Sequence, residues 1–345
     1  MLVPVAETPE QLTLADIARL AGVGLGTASR ALRNAPNVAP ETRRRVLEVA
    51  EQHTYVVSPE ASRLAGKTTK RVAVVVPHLS RWFFGAMLEG IESVLRESEV
   101  DVLLYHVGSI EDRRVFFEKV PARRKVDAVV VVAFPIEEPE RKRLEQLLKV
   151  HVIAAGGQHA VYPHVCIDDL AAGRQAMDHL IGLGHRSIAM IEAIDPDQPT
   201  APSGRTDAYY AALAEAGIEV NPRLVVSTDW GGENGAEAMA ELLSVDTLPT
   251  AVYAHSDEVA VGAMRTIRRA GLRIPEDISI VGIDDHPMAS LLDLTTVRQP
   301  VHQQGEIAAR MLLAILRDEP GLDLSVTVPT KLVVRGSTAK PRNTT

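Results

Sequence analysis

Cysteine is nearly missing from this chain of 345 residues, where Cys166 stands alone. That excludes an internal disulfide and any metal site built from several cysteines. The eleven histidines are scattered, and none falls in the two-histidine spacing of a zinc protease helix. No run of about 18 apolar residues occurs, so no membrane span is expected. The opening MLVPVAETPEQ has no basic segment followed by an apolar one. A secretory signal is therefore not expected, and the cytoplasm is the expected compartment. Short-period repeats and low-complexity segments are also missing.

What is present suits two or three domains. The formal net charge of −8 is unevenly spread: residues 11–70 hold nine Lys/Arg against five Asp/Glu, whereas residues 71–345 hold 28 bases against 38 acids. A basic head on an acidic body is the asymmetry expected when only the head touches phosphates. The head carries helical signals alone. Thr13 can cap LADIARLA, whose Leu14, Ile17, Ala18 and Ala21 recur at helical spacing. A glycine turn and a short run to Leu32 follow, then a break at NAPN, then PETRRRVLEVAEQH as a third helix with Pro40 near its start. A fourth short helix is expected from Ser58, with Gly66 past its end.

From Arg71 the texture changes. RVAVVVP, DVLLYHV, DAVVVVAF and HVIAAGG are short β-rich runs separated by helical stretches, the rhythm of a parallel sheet covered on both faces. After VCIDD and a helix around 174–183 the rhythm restarts with SIAMIEA, LVVSTDW, TAVYAHSD and ISIVGIDD, and residues 324–334 read as closing strands. Two successive α/β units make a bilobed body, whose cleft is a natural small-molecule site.

The stretch AGVGLGTASR, residues 21–30, has glycines at alternate positions and admits two readings. A dinucleotide-binding loop needs a strand before its first glycine. LADIARLA is instead a helix with Asp16 and Arg19 on its polar face, and Thr27 stands where the third small residue belongs. A second phosphate-loop decoy, Gly66-Lys67-Thr68, has Ala61 in place of the required glycine and also lacks a strand. A helix-turn-helix fits the context: helix, glycine turn and second helix within twenty residues, with a third helix to complete a small core.

At this point the chain resembles the lactose-repressor (LacI/GalR) family of bacterial transcription regulators. The resemblance runs through TLADIARLAGVGLGTASRAL, VAPETRRRVLEVAEQHTY and SPEASRLAGKT, then FFGAMLEGIE, CIDDLAAGRQAMDHLIGLGHRSIAMI, HSDEVAVGAMR, IPEDISIVGIDD, LTTVRQP and KLVVRGST, in family order from residue 13 to about 338. It implies a helix-turn-helix domain over 1–57, a hinge helix and linker over 58–70, and a body over 71–338 like that of periplasmic binding proteins. The tail is 339–345. The first lobe takes about 71–170 and part of 295–320, and the second takes about 171–294 and 321–338.

The resemblance places the helix from Leu25 in the major groove, with Leu25, Gly26 and Arg30 facing base edges. Arg30 can pair bidentately with guanine, Leu25 offers only apolar contact, and Gly26 offers no side chain. Thr13, Thr27 and Ser29 carry hydroxyls suited to phosphate, although Thr13 can equally be a plain helix cap. Gly24 and Ala39 stand where the family usually has capping serines. Arg33 replaces a usual asparagine and is either a phosphate contact or a solvated charge. Leu64, in the hinge helix over 58–65, is implied to wedge into a central base step of the minor groove, the alternative being packing on the body. A homodimer on a pseudo-palindromic operator is implied.

In the body the resemblance assigns effector contacts to Arg205, Trp230, Ser256, Asp284 and Gln299, with Ser80 and Phe84 as further candidates. An indole face with planar donors and acceptors around it suits a sugar. Asp168-Asp169 and Asp284-Asp285 follow strands and can instead cap the next helix, the reading preferred for Asp168; Trp230 can be interface packing. His78 and His255 are expected to be spectators. No cofactor and no catalytic set are expected, because no nucleophile–base pair or metal-ligand spacing is recognisable. The expected function is a ligand-controlled regulator, a repressor of carbohydrate catabolism genes. The alternatives are the same architecture sensing a purine or other metabolite, and a bilobed solute binder or enzyme that kept the fold. A heptad tail for tetramer formation is not expected after the last strand.

Overall fold

The computed structural model describes residues 12–32, 34–53, 55, 69–123, 125–147, 150–157, 161–195 and 203–342. The chain divides into two compact units, Met1–Thr69 and Lys70–Thr345. Arg33 and the expected hinge helix with Leu64 lie outside the described residues.

The first unit holds helices α1 (Leu14–Leu20), α2 (Leu25–Leu32) and α3 (Pro40–Gln52). Thr13 opens α1 with a reciprocal capping box: its hydroxyl accepts from the Asp16 amide, and the Asp16 carboxylate accepts from the Thr13 amide at 3.0 Å. Gly22 turns the chain between α1 and α2 at φ +66°, a conformation that costs glycine little. Ile17, Ala18, Ala21, Ala28, Ala31, Val46 and Ala50 form the core. Alanines dominate it, so the three helices approach closely. Two guanidiniums tie α3 to backbone carbonyls, Arg45 to Ala21 at 2.9 Å and Arg43 to Ala35 at 2.6 Å.

The second unit begins with β1 (Arg71–Val76), α4 (Trp82–Glu97), β2 (Asp101–His106), α5 (Ile110–Lys119) and β3 (Ala128–Val132). It continues through α6 (Glu138–Leu147), β4 (His151–Ala155) and β5 (His164–Cys166). The rhythm restarts with α7 (Asp169–Leu183), β6 (Ile188–Ala193), α8 (Gly204–Glu215), β7 (Val225–Thr228) and α9 (Gly232–Leu242). Then come β8 (Ala251–Ala254), α10 (Asp257–Arg269), β9 (Ser279–Asp284), α11 (Pro287–Leu291) and β10 (Thr295–Arg298). The chain closes with α12 (Val301–Leu316), β11 (Ser325–Thr327) and β12 (Lys331–Val333).

These strands form two six-stranded sheets, ordered β11-β5-β4-β3-β1-β2 and β12-β10-β9-β8-β6-β7. Every pairing is parallel except β10 with β12. Continuous apolar runs such as Val72–Val76 are buried because helices cover both faces of each sheet. Each sheet therefore anchors its own pair of cores, and the unit is bilobed.

The chain passes between lobes three times: near Ile167, at Gln299-Pro300 and near Val328. This corrects part of the expected lobe assignment. Ser325–Thr327, expected in the second lobe, pairs with His164–Cys166 in the first sheet. The open edge of β5 takes this short strand before the chain returns to the second sheet as β12. In the 295–320 segment, β10 belongs to the second sheet, and only α12 joins the first lobe. There α12 lies hard against α4, because a Cβ on Gly305 would collide with the Met87 carbonyl and one on Gly90 with the His302 carbonyl.

Candidate functional site

The second helix of the head turns two different faces outward and inward. Ala28 and Ala31 are buried, whereas Leu25 is 55% exposed, and Gly26 and Arg30 are exposed too. Water-facing leucine at the first position of a helix gains nothing from this fold alone, so the face is available for contact with another surface. Open space surrounds the position of a Cβ on Gly26, so no neighbour in the head requires glycine there. Thr27 and Ser29 are half-buried on the flank of this face. Thr13 is occupied as a cap: its hydroxyl also donates to Asp16 at 2.7 Å. These bonds, with Arg19 beyond them, hold the Asp16 carboxyl down at about 2. The Thr13 proton is therefore spent on Asp16 in this rotamer.

In the body, Asp284 ends β9 and is buried, with φ +138°. The strand delivers it to the seam where the chain crosses at Gln299. The Gln299 amide donates to the Asp284 carboxylate at 2.5 Å, and the Gln304 amide donates to the Gln299 carbonyl at 3.3 Å. All three side chains are buried, and they run from the second lobe through the crossover to the first turn of α12. Burial pushes the Asp284 carboxyl up to about 8; the Asp257 charge adds to this, while the Arg205 guanidinium and the Gln299 bond oppose it. Burial thus favours the neutral form of Asp284, which can donate as well as accept.

Arg205, in the first turn of α8, is only 12% exposed through its side chain. It pairs with Asp169 at 2.7 Å and donates to the His255 carbonyl. Arg205 thereby joins the starts of α7 and α8 to the end of β8 and sets a positive charge near Asp284. Asp168, as read from the sequence, caps α7 by accepting from the Ala171 amide at 2.9 Å. Ser256 is buried and caps α10, accepting from the Val259 amide at 3.3 Å. Its acceptor side is used by the helix, which leaves the hydroxyl proton. His255 beside it is buried, and burial with the Arg205 charge pushes its imidazole down to about 3, so it is neutral.

Trp230 stands half-buried before α9, and Arg81 covers it, with its guanidinium carbon 5.7 Å from the ring centre. Ser80, next to Arg81, is exposed. Phe84 sits in the first-lobe core with its ring edge-on to His78 at 5.5 Å and to Phe83 at 5.2 Å. The structure therefore joins Asp284, Gln299 and Arg205 in one charged and hydrogen-bonded cluster. Ser256 follows His255, whose carbonyl Arg205 holds. Phe84 packs on its own lobe. A shallow recess opens elsewhere at the strand ends, lined by Pro77, His78, Val107, Gly108, Ser109, Ile110, Arg113 and Asp195. None of the seven expected effector residues lines it.

Several partners went unread in the sequence. Asp169, which opens α7 beside the cap, neutralises Arg205. Asp257 is fully buried, held by the Thr296 hydroxyl at 2.6 Å and the His286 amide at 2.8 Å. Asp285 is clasped by Arg335 and Arg298, each at 2.6 Å. The second acid of VGIDD is thus a structural anchor, distinct from the first. Its signal was available only as a repeated acid after a strand, which does not reveal two arginines from 298 and 335. Among the described residues no group of three or more His, Cys, Asp or Glu side chains is placed to hold a metal ion, and no helix is long and apolar enough to cross a membrane.

Two family profiles match the chain: "Bacterial regulatory proteins, lacI family" over residues 13–58, and "Periplasmic binding protein-like domain" over residues 177–338. Catabolite control protein A from Priestia megaterium is 30% identical, with 95% of this chain and 99% of that protein covered. Among solved structures, a complex of the transcriptional regulator CelR with cellobiose is 31% identical, with 94% of this chain and 99% of that one covered and a TM-score of 0.69. The lac repressor dimer bound to operator and the anti-inducer ONPF is 25% identical over 96% of this chain and all of that one, with a TM-score of 0.84.

Proposed function

Because the chain belongs to the lacI family of bacterial regulatory proteins, and so is a ligand-responsive, DNA-binding transcription regulator, we propose that it represses genes of carbohydrate use, with a sugar as its effector. It would act as a homodimer on a pseudo-palindromic operator in the cytoplasm. The observation that carries the effector reading is the buried Asp284–Gln299–Arg205 cluster at the lobe crossover. A neutral acid, an amide and a paired guanidinium are recognition groups for hydroxyls rather than for a bare anion. Cellobiose in the complex of the relative CelR supports the class. Ser256, Trp230, Ser80 and Phe84 complete the proposed effector set. Leu25, Gly26, Thr27, Ser29, Arg30, Arg33, Thr13 and Leu64 make up the proposed DNA contacts.

We take the protein to be a regulator without catalytic activity. Relatives such as DegA and CelR are named as transcriptional regulators, and the polar groups of the cluster are bonded in pairs that orient rather than activate a nucleophile. Binding would act by population shift: an effector favours one closure of the lobes and so changes the affinity of the paired heads for DNA.

The test is thermal unfolding against sugars, sugar phosphates, polyols and purines. A ligand at one hundred times its dissociation constant adds about 2.7 kcal/mol, a readable shift. One sugar that raises the midpoint, with the effect lost in Asp284→Ala and Gln299→Ala, is the expected outcome. A purine that does so instead replaces the sugar and keeps the regulator.

A further inference from the structure

The two tryptophans of this chain, Trp82 and Trp230, lie on the same seam from opposite lobes. Between them stands Arg81, the residue that precedes α4. Its guanidinium pairs with Asp229 at 3.3 Å and lies over the Trp230 ring at 5.7 Å. Trp82 crosses the seam as well: its backbone amide points to the Glu258 carboxylate at 3.5 Å, and its ring meets His286 edge-on at 5.0 Å. Arg81 and Trp82 belong to the first lobe, and all four of their partners belong to the second.

Trp230 is fixed from its own side. Its amide donates to Asp229 at 2.6 Å, and its carbonyl accepts from the Asn234 amide at 2.8 Å. The backbone that carries the indole is therefore pinned, and Arg81 is the long, rotatable partner laid upon the ring. The Arg81 side chain is only 18% exposed, so this is a largely desolvated guanidinium rather than a surface charge sampling many rotamers. A planar cation and a sugar ring use an indole face in the same way, through its π surface.

We propose that Arg81 is a specificity gate: it occupies the indole face that the effector needs, and an effector enters only by taking that face and the Asp229 pairing away from it. The proposal rests on the reading of Trp230 as an effector contact. Arg81 then sets a threshold. Ligands lacking a ring face able to stack do not displace it, so affinity is selected by stacking as well as by hydroxyl pattern. Eviction of Arg81 also removes two of the seam contacts between lobes, which couples occupancy to lobe movement.

Acrylamide quenching of tryptophan emission tests the cover in the protein alone. In a Trp82→Phe background only Trp230 emits. Adding Arg81→Ala should raise the quenching constant about twofold or more, with Asp229→Asn intermediate because the guanidinium loses its anchor but stays nearby. Unchanged quenching in both variants overturns the proposal. The same variants are then titrated with cellobiose, glucose and ribose. A sugar that binds wild-type protein should bind Arg81→Ala at least about threefold more tightly, since it no longer competes with a side chain. Equal or weaker binding makes Arg81 an ordinary contact and also overturns the gate. If no sugar binds wild type or variant, the sugar reading fails, and the quenching result alone decides whether Arg81 covers the indole.

Discussion

The Gln299 side-chain amide donates to the Asp284 carboxylate at 2.5 Å, with both residues buried where the chain crosses from the second lobe to the first. Gln304 extends this bond into α12. An acid at the end of a strand in one lobe is thereby tied to a helix of the other, and its protonation becomes part of how the two lobes meet.

Asp284→Asn tests that arrangement through pH. Burial raises the folded-state carboxyl from 3.8 to about 8, so the native protein holds a proton that the unfolded chain has lost across that window. Stability must therefore fall as pH rises from 3.8 toward 8, and it levels off above the folded value. Asp257, also raised by burial, contributes in the same direction. The asparagine variant cannot ionise, so its advantage over wild type should grow by about 1.4 kcal/mol for each pH unit climbed within that window. Denaturant unfolding across that range reads it, and parallel curves for the two proteins would contradict the assignment.

Arg335→Ala removes a pair that is mostly shielded from water. Arg335 bonds Asp285 at 2.6 Å and the Leu294 carbonyl at 2.8 Å, leaving only Arg298 to balance the acid when it is gone. Breaking one partner of a buried pair is costly, and partial compensation by Arg298 places the loss at about 2–4 kcal/mol. A fall in the unfolding midpoint should appear with effector affinity little changed, because Asp285 anchors the C-terminal strand region rather than the ligand cluster.

The head separates stability from recognition at adjacent residues. Gly26→Ala places a methyl in open space within α2 and should stabilise the head by about 0.5–1 kcal/mol. The same methyl should weaken operator binding if the backbone there approaches the base edges closely. Arg30→Ala should leave the unfolding midpoint unchanged and relax preference at one operator position, at a cost of about 1–3 kcal/mol for that base pair. Circular dichroism melts with competition binding on matched and mutated duplexes separate the two effects.

The fold was legible where one local pattern carried it. Val72–Val76 and Ala128–Val132 are apolar without interruption because they are buried on both faces, and such runs announce parallel strands. Thr13 with Asp16, and Gly22 after α1, are caps and turns written in neighbouring residues. The short β11 and β12 were legible as strands, but their sheets were not. Three residues carry no mark of which lobe offers the open edge. The site divided along the same line. Asp284, Arg205 and Gln299 stand in recognisable stretches, whereas the Asp169 contact depends on two helices of the second lobe packing together, and the Arg81 contact forms only once both lobes are in place.

The most direct measurement is selection of duplexes from a random pool by the purified protein, followed by binding titrations on the enriched sequence with and without the ligand found by thermal unfolding. The account predicts an enriched pseudo-palindrome, bound as two protomers per site, with affinity changed about tenfold or more by that ligand. Its preference should flatten in Arg30→Ala. Enrichment of no sequence, or an operator affinity indifferent to a ligand that demonstrably binds the body, would contradict an effector-controlled regulator.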